Sequence, residues 1–177
     1  VAWSRFLLKA FGSSHEITNE FVARIAHEAE VLEHNSPGGK MDQYTIAIGD
    51  IIYMKTDDSN HLEKFHRAIE GLIVAESGTP KDTVGLLADR KEKALESIRL
   101  VQESFPEFNL QKASLSDTIR YFKILSKKLE PYFYAALKNH EITQEALKLL
   151  QQDSADYQEI GRLMTEHHQV LRDQLKI

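Results

Sequence analysis

Apolar residues recur at helical spacing along most of the chain. Ile17, Phe21, Ile25 and Ala29 mark one face, widened by Val22, and predict a helix running from Ser13 to about His34. Ser13 and Glu16 stand at capping-box spacing, so hydroxyl and carboxylate are expected to satisfy the first free N–H groups reciprocally. Residues 1–12 (VAWSRFLLKAFG) read as the later part of an earlier helix, with Trp3, Phe6 and Leu7 expected in the core. If these three are exposed instead, they form an association surface. Asn35, Ser36, Pro37, Gly38 and Gly39 form a tight breaker. Residues 41–48 then predict a short helix or turn closed by Gly49, and residues 50–55 (DIIYMK) predict a strand.

The charged stretch 56–67 (TDDSNHLEKFHR) marks the expected junction between two lobes, and residues 69–75 (IEGLIVA) predict a buried strand. From about Lys81 the pattern turns helical, with Val84, Leu87, Leu95, Ile98 and Val101 on one stripe and Pro106 as the stop. A helix capped by Ser114 or Ser116 should pass through Tyr121, Ile124 and Leu125, and another should span residues 131–150. A last helix begins near Asp153, with Tyr157, Ile160, Met164, Val170 and Leu171 on its apolar side. Strands first and helices later give an α+β, helix-rich fold, divided into residues 1–66 and 67–177.

Composition narrows the function classes. The 177 residues are 42% hydrophobic and 28% charged, enough for one domain or two small lobes with a real core. No apolar run approaches the roughly 18–20 residues that cross a bilayer, so no membrane partner is expected. Lys and Arg number 22 against 27 Asp and Glu, a formal charge of −5 with no basic stripe, which argues against nucleic acid. The absence of cysteine excludes disulfides, a thiolate nucleophile and Cys-based zinc, and fits a cytoplasmic location. The chain begins at Val1 inside a helical pattern, lacks a signal-peptide pattern and ends inside another helix, as expected of a piece of a larger protein.

The densest chemistry lies between Glu28 and Gln43: Glu28, Glu30, Glu33 and His34, then the glycine turn and Lys40, then Asp42. The turn folds the chain back, so Glu30 and Asp42 can approach each other. Two such carboxylates suit two roles. One can hold a hard cation such as Mg²⁺, the rest of whose shell is water and phosphate oxygen; the other can accept a proton from a substrate hydroxyl. The same pattern also describes a charged helix end, a turn and an Asp N-cap. Lys40 can touch a phosphate or face solvent. His167 and His168 are adjacent on a helix, about 100° apart, and make a poor metal pair. His61 and His66 are expected at the surface, and Arg90, Lys91, Glu92 and Lys93 on a solvated face with mixed-sign pairs.

The residues HEAEVLEHNSPGGKMDQYTIAIG resemble a signature of the GHMP kinases, most closely galactokinase, where an E-A-E helix end leads through a Pro-Gly turn into Met41-Asp42-Gln43. The likeness continues in order: residues 72–79 resemble the strand opening the second domain, 89–98 the following helix, and 159–173 a late helix carrying Gly-Arg-Leu-Met and Leu-Arg-Asp. The resemblance implies a fragment of the two-domain GHMP fold, covering the end of an N-terminal domain with a mixed sheet and much of the C-terminal domain. It implies ATP-dependent phosphorylation of a hydroxyl on a small molecule, a sugar, with ATP and Mg²⁺ as cofactors. Asp42 falls on the catalytic aspartate, Glu30 on the glutamate associated with Mg²⁺, and Gly39 on the glycine whose backbone lies against the sugar.

Departures from the pattern sharpen these expectations. The early substrate-binding motif, the Gly-Leu-Ser-Ser-Ser loop that cradles ATP phosphates and a late glycine-rich motif would lie outside these residues, so no activity is expected of the fragment alone. The sugar-contacting Tyr of galactokinases is missing from VGLLADR, and residues 77–83 resemble the mevalonate kinase branch instead. The alternatives are a mevalonate-kinase-like enzyme, a kinase-derived protein that senses sugar and ATP without turnover, and a helical interaction module carrying the motif by chance. Oligomeric state is not encoded in these residues.

Overall fold

The computed structural model describes residues 1–36, 38–57, 61–69, 71–76, 78, 83–117 and 119–177. Pro37 of the breaker, and most of the stretch likened to mevalonate kinase, lie outside them. The chain forms two compact units, Val1–Ala75 and Glu76–Ile177. Their boundary falls after the charged stretch that marks the expected junction, which itself contributes a strand.

In the first unit, α1 (Ala2–Phe11) is followed by α2 (Asn19–His27), a π-helical turn (Glu28–Leu32) and α3 (Met41–Ile48). Strands β1 (Ile51–Met54) and β2 (Leu62–Phe65) pair antiparallel, in a register that sets Ile51 opposite Phe65 and Met54 opposite Leu62. Helix α2 starts later than the expected capping box. Thr18, not Ser13, is the N-cap: its hydroxyl accepts from the Phe21 N–H at 3.1 Å. The Ser13 hydroxyl instead accepts from the His15 N–H. Val22, Ala23 and Ala26 of α2 pack inward with Val31, Ala47, Ile48 and Phe65, so α2 and α3 form the core of this unit. Helix α3 ends at Gly49, φ 76°, and Asp50 follows at φ 59°; these two left-handed residues swing the chain into β1.

Three further expectations fail in this unit. Residues 71–76 form no strand, and Leu72, Ile73 and Val74 are exposed, Val74 by 90%. Their apolar character suits a strand, but among the described residues β1 and β2 pair only with each other, and an unpaired strand leaves its backbone groups unsatisfied. The sheet among the described residues is this antiparallel pair, not a mixed sheet of the kind the resemblance implies. Trp3, Phe6 and Leu7 are not in a core: no residue of α1 is buried, and Trp3 is 72% exposed. Helix α1 is tied to α2 by Arg5, which donates to Asn19 Oδ1 at 2.7 Å.

The second unit is helical. It holds α4 (Thr83–Ser104), a 3₁₀ turn (Leu115–Asp117), α5 (Ile119–Phe122), α6 (Glu130–Leu150), α7 (Tyr157–Val170) and a π-helical end (Leu171–Leu175). Helix α6 packs against α4 on one side and α7 on the other. Val101, Phe108, Tyr121, Leu125, Phe133 and Leu137 make one core cluster; Ala135, Ile142, Leu163 and Val170 make another. Pro131 opens α6, where its missing N–H costs nothing, and Asp156 caps α7 by accepting from the Gln158 and Glu159 N–H groups. Two apolar residues lie off their expected stripes: Leu95 is 57% exposed and Met164 52%. The buried line of α4 runs instead through Ser97 and Val101, one helical turn apart.

Candidate functional site

The three expected site residues lie in the first unit, around the turn from α2 to α3. The helix widens to π geometry over Glu28–Leu32, a rare form that changes the phase of the side chains. Val31 thereby points into the core while Glu30 stays at the surface. The turn closes tightly behind it. The Ser36 N–H donates to the Val31 carbonyl at 2.9 Å and the Asn35 N–H to the Leu32 carbonyl, with Asn35 at φ 47° as the left-handed residue ending the helix. Gly38 presses on this end. A Cβ there would lie 3.3 Å from Val31 Cγ2, whereas at Gly39 it would meet nothing. Gly39 is exposed and its backbone is open to a ligand.

Asp42 is in the first turn of α3, exposed, where a carboxylate is favoured by the helix dipole. The next residue, Gln43, is 3% exposed and turns inward. Its Nε2 donates to Glu30 Oε2 at 3.0 Å, so the end of the π turn is bound to the residue adjacent to Asp42. Glu30 is thus anchored through Gln43, while Asp42, one residue before it on α3, is exposed and points about 100° away from it around the helix. No group of three or more His, Cys, Asp or Glu that could hold a metal ion converges among the described residues, so a cation at Glu30 would have that one carboxylate and no protein cage. That suits a hard cation whose remaining ligands are water and phosphate oxygen.

Gln43 is the residue to which sequence reasoning assigned no role. The available signal was a glutamine four residues before Ala47, on the face that the apolar pattern assigns to the core. Its Oε1 is buried without a hydrogen-bond partner among the described residues. An unsatisfied buried acceptor costs about 1–3 kcal/mol.

Other polar groups have structural work. Asp50 receives Lys64 Nζ at 3.1 Å and pairs with His66 Nδ1 at 2.9 Å; the Lys64 hydrogen bond chiefly, then its charge and His66, hold the Asp50 carboxyl below its usual range. Lys64 also donates to the Ile48 carbonyl, pinning β2 to the end of α3. His61 and His66 are exposed, as expected. In the second unit the Arg90 run is more than a solvated face. Arg90 Nε donates to the Leu175 carbonyl at 2.7 Å, and its guanidinium pairs with Asp89 and lies over the Tyr132 ring. His167 and His168 both face solvent and meet no third metal-ligating group among the described residues.

A hollow of about 310 Å³ in the first unit is lined by Glu20, Phe21, Arg24, Tyr44 and Leu62. It includes neither Glu30 nor Asp42: Tyr44 lies two residues beyond Asp42, about 200° around α3. No helix among the described residues is long and apolar enough to cross a membrane. No family model and no curated protein sequence matches the chain.

Proposed function

We propose that the chain is part of a cytoplasmic, galactokinase-like GHMP kinase that transfers the γ-phosphoryl group of ATP to a hydroxyl of a small sugar. The observation that carries the reading is the Gln43–Glu30 hydrogen bond, which draws the Glu-Ala-Glu helix end to the Met-Asp-Gln helix and leaves Asp42 and Gly39 open beside it.

In this reading Asp42 orients the substrate hydroxyl and takes its proton. The hydroxyl oxygen forms the new bond to the γ-phosphorus, the bond from that phosphorus to the β–γ bridging oxygen breaks, and ADP leaves. Phosphoryl transfer asks a protein mainly for positioning and charge neutralisation, so an exposed aspartate is sufficient. Gly39, with no side chain and no near neighbour, lets the sugar approach the backbone. Glu30 would hold Mg²⁺, which when bound neutralises phosphate charge. ATP would be held mainly by residues outside these 177.

The test is ADP release by the parent protein, with galactose, other hexoses and mevalonate supplied separately, beside an Asp42→Ala variant. Turnover with one acceptor, lost in the variant while nucleotide still binds, is the expected result. Absence of turnover with every acceptor, despite bound ATP and sugar, would overturn the catalytic role of Asp42 and favour a sensing protein.

A further inference from the structure

We propose that α1 is an interfacial helix that seats the first unit on an anionic lipid surface; nothing in this rests on the kinase reading. The residues of the helix sort by side. Trp3, Phe6, Leu7, Ala10 and Phe11 fall within an arc of about 140°. All five are exposed, Trp3 by 72% and Phe11 by 83%. Ser4, Arg5 and Leu8 are half-buried and lie on the other side, where Arg5 donates to Asn19 at the start of α2. One side thus holds the helix to its unit, and the aromatic side is presented outward. Trp3 and Phe6 meet edge to face with ring centroids 5.4 Å apart, which joins them into one patch.

Charge and area select the occupant. The charged residues of α1 are Arg5 and Lys9, both cations, and the first acid of the chain is Glu16, in a protein whose formal charge is −5. Trp, Phe and Leu on one face with basic residues on the rest is the pattern of a helix lying in a bilayer surface, where long basic side chains reach the headgroups. Such a helix needs a wide apolar face and not a spanning length. A second copy of the chain fits this face less well. Trp3, Phe6, Leu7 and Phe11 together expose roughly 500 Å². Each partner in a stable dimer gives roughly 800 Å². Pairing two α1 helices would also gather like charges along one seam, whereas anionic headgroups attract them.

Trp3 is the single tryptophan of the 177 residues, so its fluorescence reports on this face alone. The chain is titrated with vesicles of phosphatidylcholine and of phosphatidylcholine mixed with phosphatidylserine, each with and without brominated acyl chains. On the anionic vesicles the expected result is a blue shift of Trp3 emission and quenching by the brominated chains, with several-fold weaker binding to the neutral ones. Lys9→Gln should weaken binding to the anionic vesicles about 5-fold and leave the neutral ones unchanged. Phe11→Ala should weaken binding to both about 10-fold or more. Because Phe11 is exposed, that variant should unfold at the same temperature as the wild type. Emission unmoved by either vesicle overturns the proposal and leaves the face to a protein partner. Equal affinity for the two vesicles, or no effect of Lys9→Gln, overturns the choice of an anionic surface and the proposal with it. A blue shift that grows with protein concentration in the absence of lipid, with a doubled mass in sedimentation, assigns the face to a second copy and overturns the proposal likewise.

Discussion

Phe133 is the largest fully buried side chain among the described residues. Its side chain is fully buried in α6, with its ring 5.6 Å from Phe108, 5.7 Å from Phe122 and 6.2 Å from Tyr121, in tilted and edge-on arrangements. A buried phenylalanine removes at least about 150 Å² from water, worth about 4 kcal/mol at roughly 25 cal/mol/Å². Phe133→Ala gives up most of that, together with the ring contacts, and leaves a cavity that neighbours on two separate segments cannot all collapse into. The expected loss is about 4 kcal/mol, within the usual 3–5 for this change. With a urea slope of about 2 kcal/mol per molar, the midpoint falls by roughly 2 M. The assay is urea unfolding followed by far-ultraviolet circular dichroism, because the single tryptophan, Trp3, lies in the other unit. Ile119→Ala is the control: Ile119 is 73% exposed, and the change should stay within about 0.5 kcal/mol. A Phe133→Ala loss below about 1 kcal/mol, or equal to that of the control, would refute the assignment of this cluster as the core.

Three further outcomes follow from named contacts. Thr18→Ala should cost about 1 kcal/mol and Ser13→Ala close to nothing, because Thr18 caps α2; equal effects in thermal unfolding would restore Ser13 as the cap. Glu166 accepts from Lys138 at 2.6 Å and from Arg162, and the Lys138 hydrogen bond chiefly holds its carboxyl below the usual range. A lowered carboxyl contributes stability above the unfolded-state value near 4.5 that is lost as the pH falls through the lower folded-state value. Glu166→Gln should therefore lower stability at neutral pH, by no more than about 1 kcal/mol because the pair meets solvent, and flatten the decline of the thermal midpoint below pH 4.5; an unchanged acid limb would count against the pair. Arg90→Ala removes the donor to the Leu175 carbonyl, so amide exchange should quicken several-fold over Leu171–Leu175 and not in the middle of α6, whereas uniform quickening would indicate general destabilisation.

Several elements were legible in the chain because their causes are local. Gly49 follows the last apolar residue of α3, β-branched residues fill β1, Pro131 opens α6, and each acts within a few residues of itself. What local pattern could not supply was the partner. Residues 71–76 carry strand character and remain exposed, because a strand exists only where another strand offers its hydrogen bonds. The capping box at Ser13 has the right spacing, yet the helix begins where the exposed Thr18 hydroxyl accepts from the Phe21 N–H, and the Ser13 hydroxyl is taken by the His15 N–H. Arg90 reads as one charge in a solvated run until the fold brings the Leu175 carbonyl to it across 85 positions. Gln43 is the clearest instance. Its polarity suggests surface and its spacing suggests core, and the conflict is resolved only by a π-helical turn that sets a carboxylate within reach of its amide. Periodicity fixes which face of an element is apolar; what that face and its polar exceptions meet is decided by packing between segments distant in sequence.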